Sequence, residues 1–273
     1  MGEVERLGQR IHYADRGHGV PILLGHSFLC SGEMWEHQVP ALARVARTIN
    51  VDARGHGRSA RAPTPYSLYD MLDDMLAVLD HLGVERAVWA GLSMGGMVAL
   101  RAALTVPERV AGLIILDSDA GTEGALKLLR YRALGVAARV FGIRPVLPAV
   151  LKQMFGRTTL ASRPELVERW RARFMHLHVP SVLNGIGMFG GRDDLTGRLR
   201  QIAVPTLVIV GEEDVALPPA KSHAIAAGIP GARLLTVPGA GHLPCVERAD
   251  LITDEMLAFL GDLPTNANEE RGS

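Results

Sequence analysis

The chain has 273 residues, 48% hydrophobic and 21% charged, and its 29 Lys and Arg residues balance its 29 Asp and Glu residues. A formal net charge of zero removes the whole-protein electrostatic reason to expect nucleic acid or an anionic membrane as a partner. No apolar run is long enough to cross a bilayer, and the first six residues lack the apolar core of a signal peptide, so a cytoplasmic protein is predicted. Two cysteines are too few for a disulfide scaffold.

Short apolar runs alternate with helical patterns in both terminal parts of the chain. Ser67 followed by Asp70 predicts a helix start, ahead of apolar residues at helical spacing that end before Gly83. A last helix is predicted over 247–260. Strands separated by helices predict an α/β fold with a mostly parallel sheet. The predicted strands are 10–13, 21–25, 48–52, 86–90, 113–116, 206–210 and 233–237.

Residues 121–195 interrupt this alternation with several helical patterns punctuated by Gly and Pro. They predict a helical lid inserted into a core formed by 1–120 and 196–264, followed by a polar, disordered tail at 265–273. The lid is rich in Lys and Arg, which would either attract anionic substrates or serve as ordinary solvated surface. Apolar lid residues are expected to cover an acyl site or to form the lid's own core: Leu126, Leu128, Leu134, Val140, Phe141, Leu147, Phe155, Phe174 and Met188.

The segment Gly91-Leu-Ser93-Met-Gly95 joins a predicted strand to a predicted helix. A sharp turn at this place lifts a serine hydroxyl clear of the sheet, and the helix N-terminus offers N–H groups to a developing oxyanion. Ser93 is therefore predicted to be a nucleophile, with the backbone N–H of Met94 in the oxyanion hole.

A second serine, Ser27, lies in a Gly25-His26-Ser27 segment that follows an earlier strand. Leu29 occupies the place of the second glycine and no helical run follows, so this loop is predicted to supply the other oxyanion donor instead, the N–H of Phe28. His26, Ser27 and Cys30 are expected to line the substrate pocket.

A serine nucleophile needs a base whose tautomer is held by an acid. His242 lies in a glycine-framed loop after the last predicted strand, and Asp214 follows the strand that ends at Val210. The order Ser93, Asp214, His242 is the chain order of α/β-hydrolase triads. Asp117, after the strand that follows the nucleophile helix, is the alternative acid.

No phosphate-binding glycine motif of the GxGxxG or GxxxxGKS type is present, so no nucleotide cofactor is expected. His176 and His178 form a lone pair without a zinc-binding motif, and no metal is expected.

Several motifs together resemble the α/β-hydrolase fold superfamily over nearly the whole chain. They are His26-Ser-Phe-Leu-Cys-Ser-Gly-Glu-Met-Trp35, Asp52-Ala-Arg-Gly-His-Gly-Arg-Ser59, the Ser93 segment, Gly211-Glu-Glu-Asp214 and Gly241-His242. The resemblance implies an eight-stranded, mostly parallel sheet flanked by helices, with an inserted lid and a Ser-His-Asp triad. Within the superfamily, the segment Gly91–Met97 and the 52–59 stretch are similar to those of 3-oxoadipate enol-lactonases. Carboxylesterases are the other subfamily that the chain resembles.

The resemblance implies a serine hydrolase that cleaves small-molecule carboxylic esters or lactones through an acyl-enzyme. The apolar content of the lid is compatible with a monomer or a homodimer. The same motifs are compatible with a carbon–carbon bond hydrolase, a perhydrolase or a hydroxynitrile lyase on the same triad. They are also compatible with a non-catalytic ligand receptor, because fold does not fix function.

Overall fold

The computed structural model describes residues 1–263, so the tail predicted at 265–273 lies outside the described residues. Eight strands form one sheet: β1 (Gly2–Arg6), β2 (Gln9–Arg16), β3 (Val20–Gly25), β4 (Ala46–Val51), β5 (Ala87–Leu92), β6 (Val110–Leu116), β7 (Thr206–Gly211) and β8 (Arg233–Val237). Their order in the sheet is β1-β2-β4-β3-β5-β6-β7-β8. The β1–β2 and β2–β4 pairs are antiparallel and the others parallel, which confirms the predicted mostly parallel, eight-stranded sheet.

Helices cover both faces of the sheet. They are α1 (Val39–Leu42), α2 (Leu68–His81), α3 (Met94–Thr105), α4 (Ala125–Phe141), α5 (Leu147–Met154), α6 (Arg157–Ser162), α7 (Pro164–Phe174), α8 (Val179–Gly190), α9 (Ala220–Gly228), α10 (Pro244–Glu247) and α11 (Ala249–Gly261). The predicted start of α2 is confirmed, because the Ser67 hydroxyl accepts the N–H of Asp70 while the Asp70 carboxylate accepts the N–H of Ser67.

Two elements differ from the sequence prediction. Strand β1 was not predicted, because its five residues contain a single large apolar side chain, and backbone pairing with β2 holds it at the sheet edge. The helix predicted over 247–260 corresponds to α11, and the short helix α10 that precedes it was not predicted. Arg248 separates the two with φ −135° and ψ 52°, outside the helical region.

The core consists of two apolar layers, one on each face of the sheet. Side chains alternate along each central strand, so Leu23 and Trp89 point to the layer covered by α2 and α3. Ile22 and Val88 point to the opposite layer, which includes residues of α1 and α11 and several lid helices. Every residue of β5 is buried, which is expected for a central parallel strand. Strands β5, β6 and β7 are parallel neighbours, so their carboxyl ends lie side by side at the same edge of the sheet.

Helices α4 to α8 lie between β6 and β7 in the chain, and α4 packs against α8. Basic residues of this segment contact acids of the core: Arg157 lies 3.0 Å from Glu213, and Arg173 lies 2.6 Å from Glu36. Part of the positive charge of helices α4 to α8, the segment predicted to be a lid, thus binds it to acids outside this segment. Within residues 1–263, none of the helices combines the length and apolar character that crossing a bilayer would require.

Candidate active site

Ser93 lies at the turn between β5 and α3, with φ 54° and ψ −111°. A positive φ is unfavourable for a residue with a Cβ atom, so this conformation costs free energy that the surrounding structure must supply. The Ser93 N–H donates to Leu116 O, and its carbonyl accepts from Met97 N–H and from the Ser118 hydroxyl. Its own hydroxyl caps no helix N–H. The backbone is therefore held tightly while the hydroxyl is left for other partners.

Two glycines make this turn sterically possible. A Cβ on Gly91 would lie 2.2 Å from the carbonyl carbon of Gly95, and a Cβ on Gly95 would lie 2.3 Å from the carbonyl oxygen of Gly25. Strand β5, helix α3 and the end of β3 approach each other so closely that no side chain fits between them. The flanking glycines of the serine motif are thus required by backbone contact.

His242 and Asp214 form a buried pair. The Nδ1 atom of His242 lies 2.8 Å from Oδ2 of Asp214. Oδ1 of Asp214 accepts hydrogen bonds from the backbone N–H groups of Ala216 at 2.7 Å and Leu217 at 3.0 Å. The carboxylate is thereby fixed in place and holds the proton on Nδ1, which leaves Nε2 of His242 as the nitrogen that can exchange a proton.

The two backbone N–H groups predicted to bind an oxyanion belong to different segments, a helix and a loop. Met94 is the first residue of α3, where an N–H has no partner inside the helix. Phe28 lies in the loop after β3, and its N–H donates to no other group among residues 1–263. Both groups are therefore available to a ligand, and the N-terminus of α3 adds the positive end of its dipole at Met94.

His26 supports this loop. Its Nδ1 donates to Ser27 O at 2.8 Å, and its Nε2 accepts the Ala53 N–H at 2.9 Å. Burial lowers the pKa of His26, in keeping with a neutral ring that donates and accepts one bond each. Burial, together with the neighbouring His26, also lowers the pKa of His56 to about 3. Asp52 connects the segment that follows β3 with the 52–59 stretch, since its carboxylate accepts the N–H groups of Gly32 and Arg58.

A cavity of about 130 Å³ lies above the carboxyl ends of the central strands, and both Ser93 and His242 line it. Ser27 and Phe28 contribute to the wall, whereas His26 and Cys30, expected there as well, do not. Cys30 packs in the apolar layer beneath the loop instead, where burial raises the pKa of its thiol.

The lid provides most of the cavity wall, with α4, α5 and α8 all contributing. Among the apolar lid residues singled out from the sequence, Leu134 and Leu147 line the cavity. Leu126, Val140 and Phe141 point away from it and are 71%, 64% and 74% exposed. The others pack inside the protein: Leu128, Phe155, Phe174 and Met188. The three exposed residues all lie on α4, which is apolar on more than one side. Periodicity does not tell which side faces the pocket, so the sequence analysis misplaced them.

Glu247 is a site residue that the sequence analysis missed. Its Oε1 accepts the N–H groups of Gly241 at 2.9 Å and Leu243 at 3.3 Å, on either side of His242. Its Oε2 accepts the Gly156 N–H of the lid at 2.9 Å. One buried carboxylate thus holds the histidine loop and the lid together. Its position five residues after His242, at the end of an apolar stretch, was the available signal.

Asp117, the alternative acid, lies beside the same pair. Donor atoms of Asp117, Asp214 and His242 lie within 4.8 Å of one another and would offer three ligands to a metal ion. Asp214 already accepts two backbone N–H groups and the imidazole, so the arrangement is organised for holding a histidine.

His178, one of the two lid histidines, accepts the N–H of Ser181 at the start of α8.

Comparison with known proteins agrees with this architecture. The profile of the family described as alpha/beta hydrolase fold matches residues 20–249. The chain is 32% identical over 259 residues, 93% of this chain and 96% of the other, to an Azorhizobium caulinodans protein provisionally named as the carbamate hydrolase RutD. A thermophilic esterase from Thermogutta terrifontis has a TM-score of 0.90 at 30% identity and covers 96% of this chain and 99% of its own. The enol-lactonase from Burkholderia xenovorans has a TM-score of 0.88 at 29% identity, with 96% and 100% covered.

Proposed function

The chain belongs to the alpha/beta hydrolase fold family, and we propose that within it the protein is a serine hydrolase of small carboxylic esters or lactones. Relatives and structural neighbours named as a hydrolase, an esterase and a lactonase support hydrolase activity. The observation that carries the proposal is the convergence of three groups. Ser93, on a strained turn, and His242, held by Asp214, open onto one cavity.

In the proposed reaction, Oγ of Ser93 attacks the carbonyl carbon and Nε2 of His242 takes the hydroxyl proton. The N–H groups of Phe28 and Met94 bind the oxyanion, and Asp214 stabilises the imidazolium. The carbon–oxygen bond then breaks and His242 gives its proton to the leaving alcohol. Water, deprotonated by His242, attacks the acyl-enzyme and releases the acid with Ser93 restored. With a lactone, the leaving alcohol remains part of the same product.

The cavity supports a small substrate. Its volume of about 130 Å³ is similar to that of an engineered cavity of about 150 Å³ that holds benzene. Apart from Ser27, Ser93 and His242, its few polar side chains are Glu123, Tyr131 and Gln153. A short alkyl or aryl group suits such a wall, and no cofactor enters the proposed reaction.

The decisive experiment is proton release in a pH-stat with a panel of short alkyl esters, aryl esters and lactones. The wild type is compared with Ser93→Ala and with the matched control Ser222→Ala, a fully buried serine on α9. We expect turnover that is lost in Ser93→Ala and retained in Ser222→Ala.

Full turnover in Ser93→Ala would refute the proposal, as would a product analysis that shows carbon–carbon cleavage. Ligand-induced shifts in melting temperature without any turnover would instead favour a non-catalytic receptor. The relative rates on esters and lactones decide between the two substrate classes.

A further inference from the structure

Asp117 lies at the carboxyl end of β6 and is fully buried, although the proposed reaction gives it no role. Its Oδ1 accepts the Gly211 N–H at 2.8 Å. Its Oδ2 is buried and has no hydrogen-bond donor among residues 1–263. The backbone adopts φ 40°, in the left-handed region, to place the carboxyl group there. A buried polar atom without a partner, reached at a conformational cost, calls for a chemical explanation.

The groups that face Asp117 are mostly acidic. Asp214 and His242 lie beside it, Glu247 adds a further negative charge, and the buried thiol of Cys245 lies nearby. Burial first, and then the charge of Asp214, raise the pKa of Asp117 well above its usual value. This direction of the pKa shift favours the protonated, neutral form of the Asp117 carboxyl group. The proton belongs on Oδ2, because Oδ1 already faces a donor.

We propose that Asp117 is a positioning residue for the catalytic acid: its neutral carboxyl group donates a hydrogen bond from Oδ2 to Asp214 and so helps to hold the carboxylate that orients His242. This inference rests on the roles given to Asp214 and His242 in the proposed function. An ionised carboxylate has about four acceptor sites. Ala216, Leu217 and His242 occupy three of them, and the Asp117 hydroxyl completes the set.

The arrangement has a consequence for His242. A carboxylate that shares its charge with a neutral acid attracts a neighbouring imidazolium less strongly than an unshared one. Loss of the Asp117 donor should therefore make His242 easier to protonate, and the acidic limb of the pH–rate profile should move to higher pH. A purely structural role, limited to the Gly211 N–H, would leave that limb where it is.

Two substitutions separate the possibilities. In Asp117→Asn the side-chain carbonyl still accepts from Gly211 and the amide N–H₂ replaces the hydroxyl as donor, so both contacts are kept. We expect the acidic limb of kcat/KM to stay within about 0.3 pH unit of the wild type in this variant, and to move up by about 0.5–1 pH unit in Asp117→Ala.

Two outcomes would overturn the proposal. If Asp117 is ionised in the wild type, Asp117→Asn removes a negative charge beside the imidazolium, and the limb moves down by about 1 pH unit or more. If Asp117→Ala lowers the urea midpoint while the limb stays at its wild-type position, Asp117 serves the fold alone.

A second readout needs no turnover. The titration of the His242 ring, followed by NMR, should show the same pattern in the wild type and both Asp117 variants. Asp119→Asn is the matched control, since this buried acid follows the same strand but pairs with Arg192 at 2.6 Å. Its substitution should leave the His242 titration unchanged. If no ester or lactone is cleaved but the NMR pattern is found, the proposed function fails and the role of Asp117 stands. If esters or lactones are cleaved but the NMR pattern is absent, the proposed function stands and the role of Asp117 fails.

Discussion

The strained turn at Ser93 predicts an unusual stability change. Replacement of Ser93 by Gly or by Ala removes the hydroxyl in both cases, but only Gly removes the Cβ atom that makes φ 54° and ψ −111° unfavourable. In most positions Gly is the less stable of the two, because it loses more conformational entropy on folding. At residue 93 we expect Ser93→Gly to be the more stable variant.

The magnitude follows from comparison with an ordinary helix cap. Ser67 also precedes a helix, but with φ −107° and ψ 171°, a conformation open to any residue. The entropy and capping differences between Gly and Ala apply at both positions and cancel in the comparison. The remaining term is the backbone strain, about 1–3 kcal/mol for such a conformation. The advantage of Gly over Ala should therefore be greater at residue 93 than at residue 67 by this amount.

The assay is equilibrium unfolding in urea of Ser93→Gly, Ser93→Ala, Ser67→Gly and Ser67→Ala. The slope of the unfolding free energy against urea concentration should be the same in all four variants. Equal advantages of Gly over Ala at the two positions would show that no strain is stored at the turn. A Ser93→Gly variant less stable than Ser93→Ala would contradict the reasoning altogether. The measurement is independent of the chemistry assigned to Ser93, because neither variant keeps the hydroxyl.

Three further predictions concern the residues around this turn. Asp214→Asn should lower kcat by about 10⁴-fold while leaving the fold intact, because the amide no longer holds the proton on Nδ1 of His242; a loss of about tenfold or less would contradict the assigned role. Glu247→Ala leaves three buried N–H groups without their acceptor and should lower the free energy of unfolding by about 3 kcal/mol or more, with a smaller loss in Glu247→Gln, both measured in urea. Burial lowers the pKa of His56 to about 3. Below pH ~6.5 the His56 imidazole therefore binds a proton in the unfolded chain but stays neutral in the folded protein. Wild-type stability should therefore fall by about 2 kcal/mol more than that of His56→Gln between pH 7 and pH 5, and parallel curves would exclude this linkage.

The sequence was sufficient wherever one local pattern determined the outcome. The apolar runs marked seven of the eight strands, and Ser67 with Asp70 marked the start of α2, because both signals depend on neighbouring residues. The edge strand at 2–6 and the short helix α10 were not predicted, because pairing with β2 and the break at Arg248 depend on tertiary contacts and leave no local pattern.

The same distinction applies to the site. The order of Ser93, Asp214 and His242 could be read from motifs, and the structure places Asp214 and His242 in contact. No motif marked Glu247, because its bond to the Gly156 N–H joins segments that are 91 residues apart in the sequence. Cys30 was misplaced for a related reason: a residue in a pocket loop can point into the core beneath it.

The close backbone contacts at Gly91 and Gly95 also bear on how this protein can change through evolution. Any side chain at either position would collide with neighbouring backbone, so these two positions accept only glycine. The opposite wall of the cavity is built from lid side chains such as Leu134, Leu147 and Ile186, which can be exchanged for others of different size without disturbing that turn. A change in the size of the molecule that the cavity holds can therefore come from the lid alone, while the backbone around Ser93 is inherited unchanged.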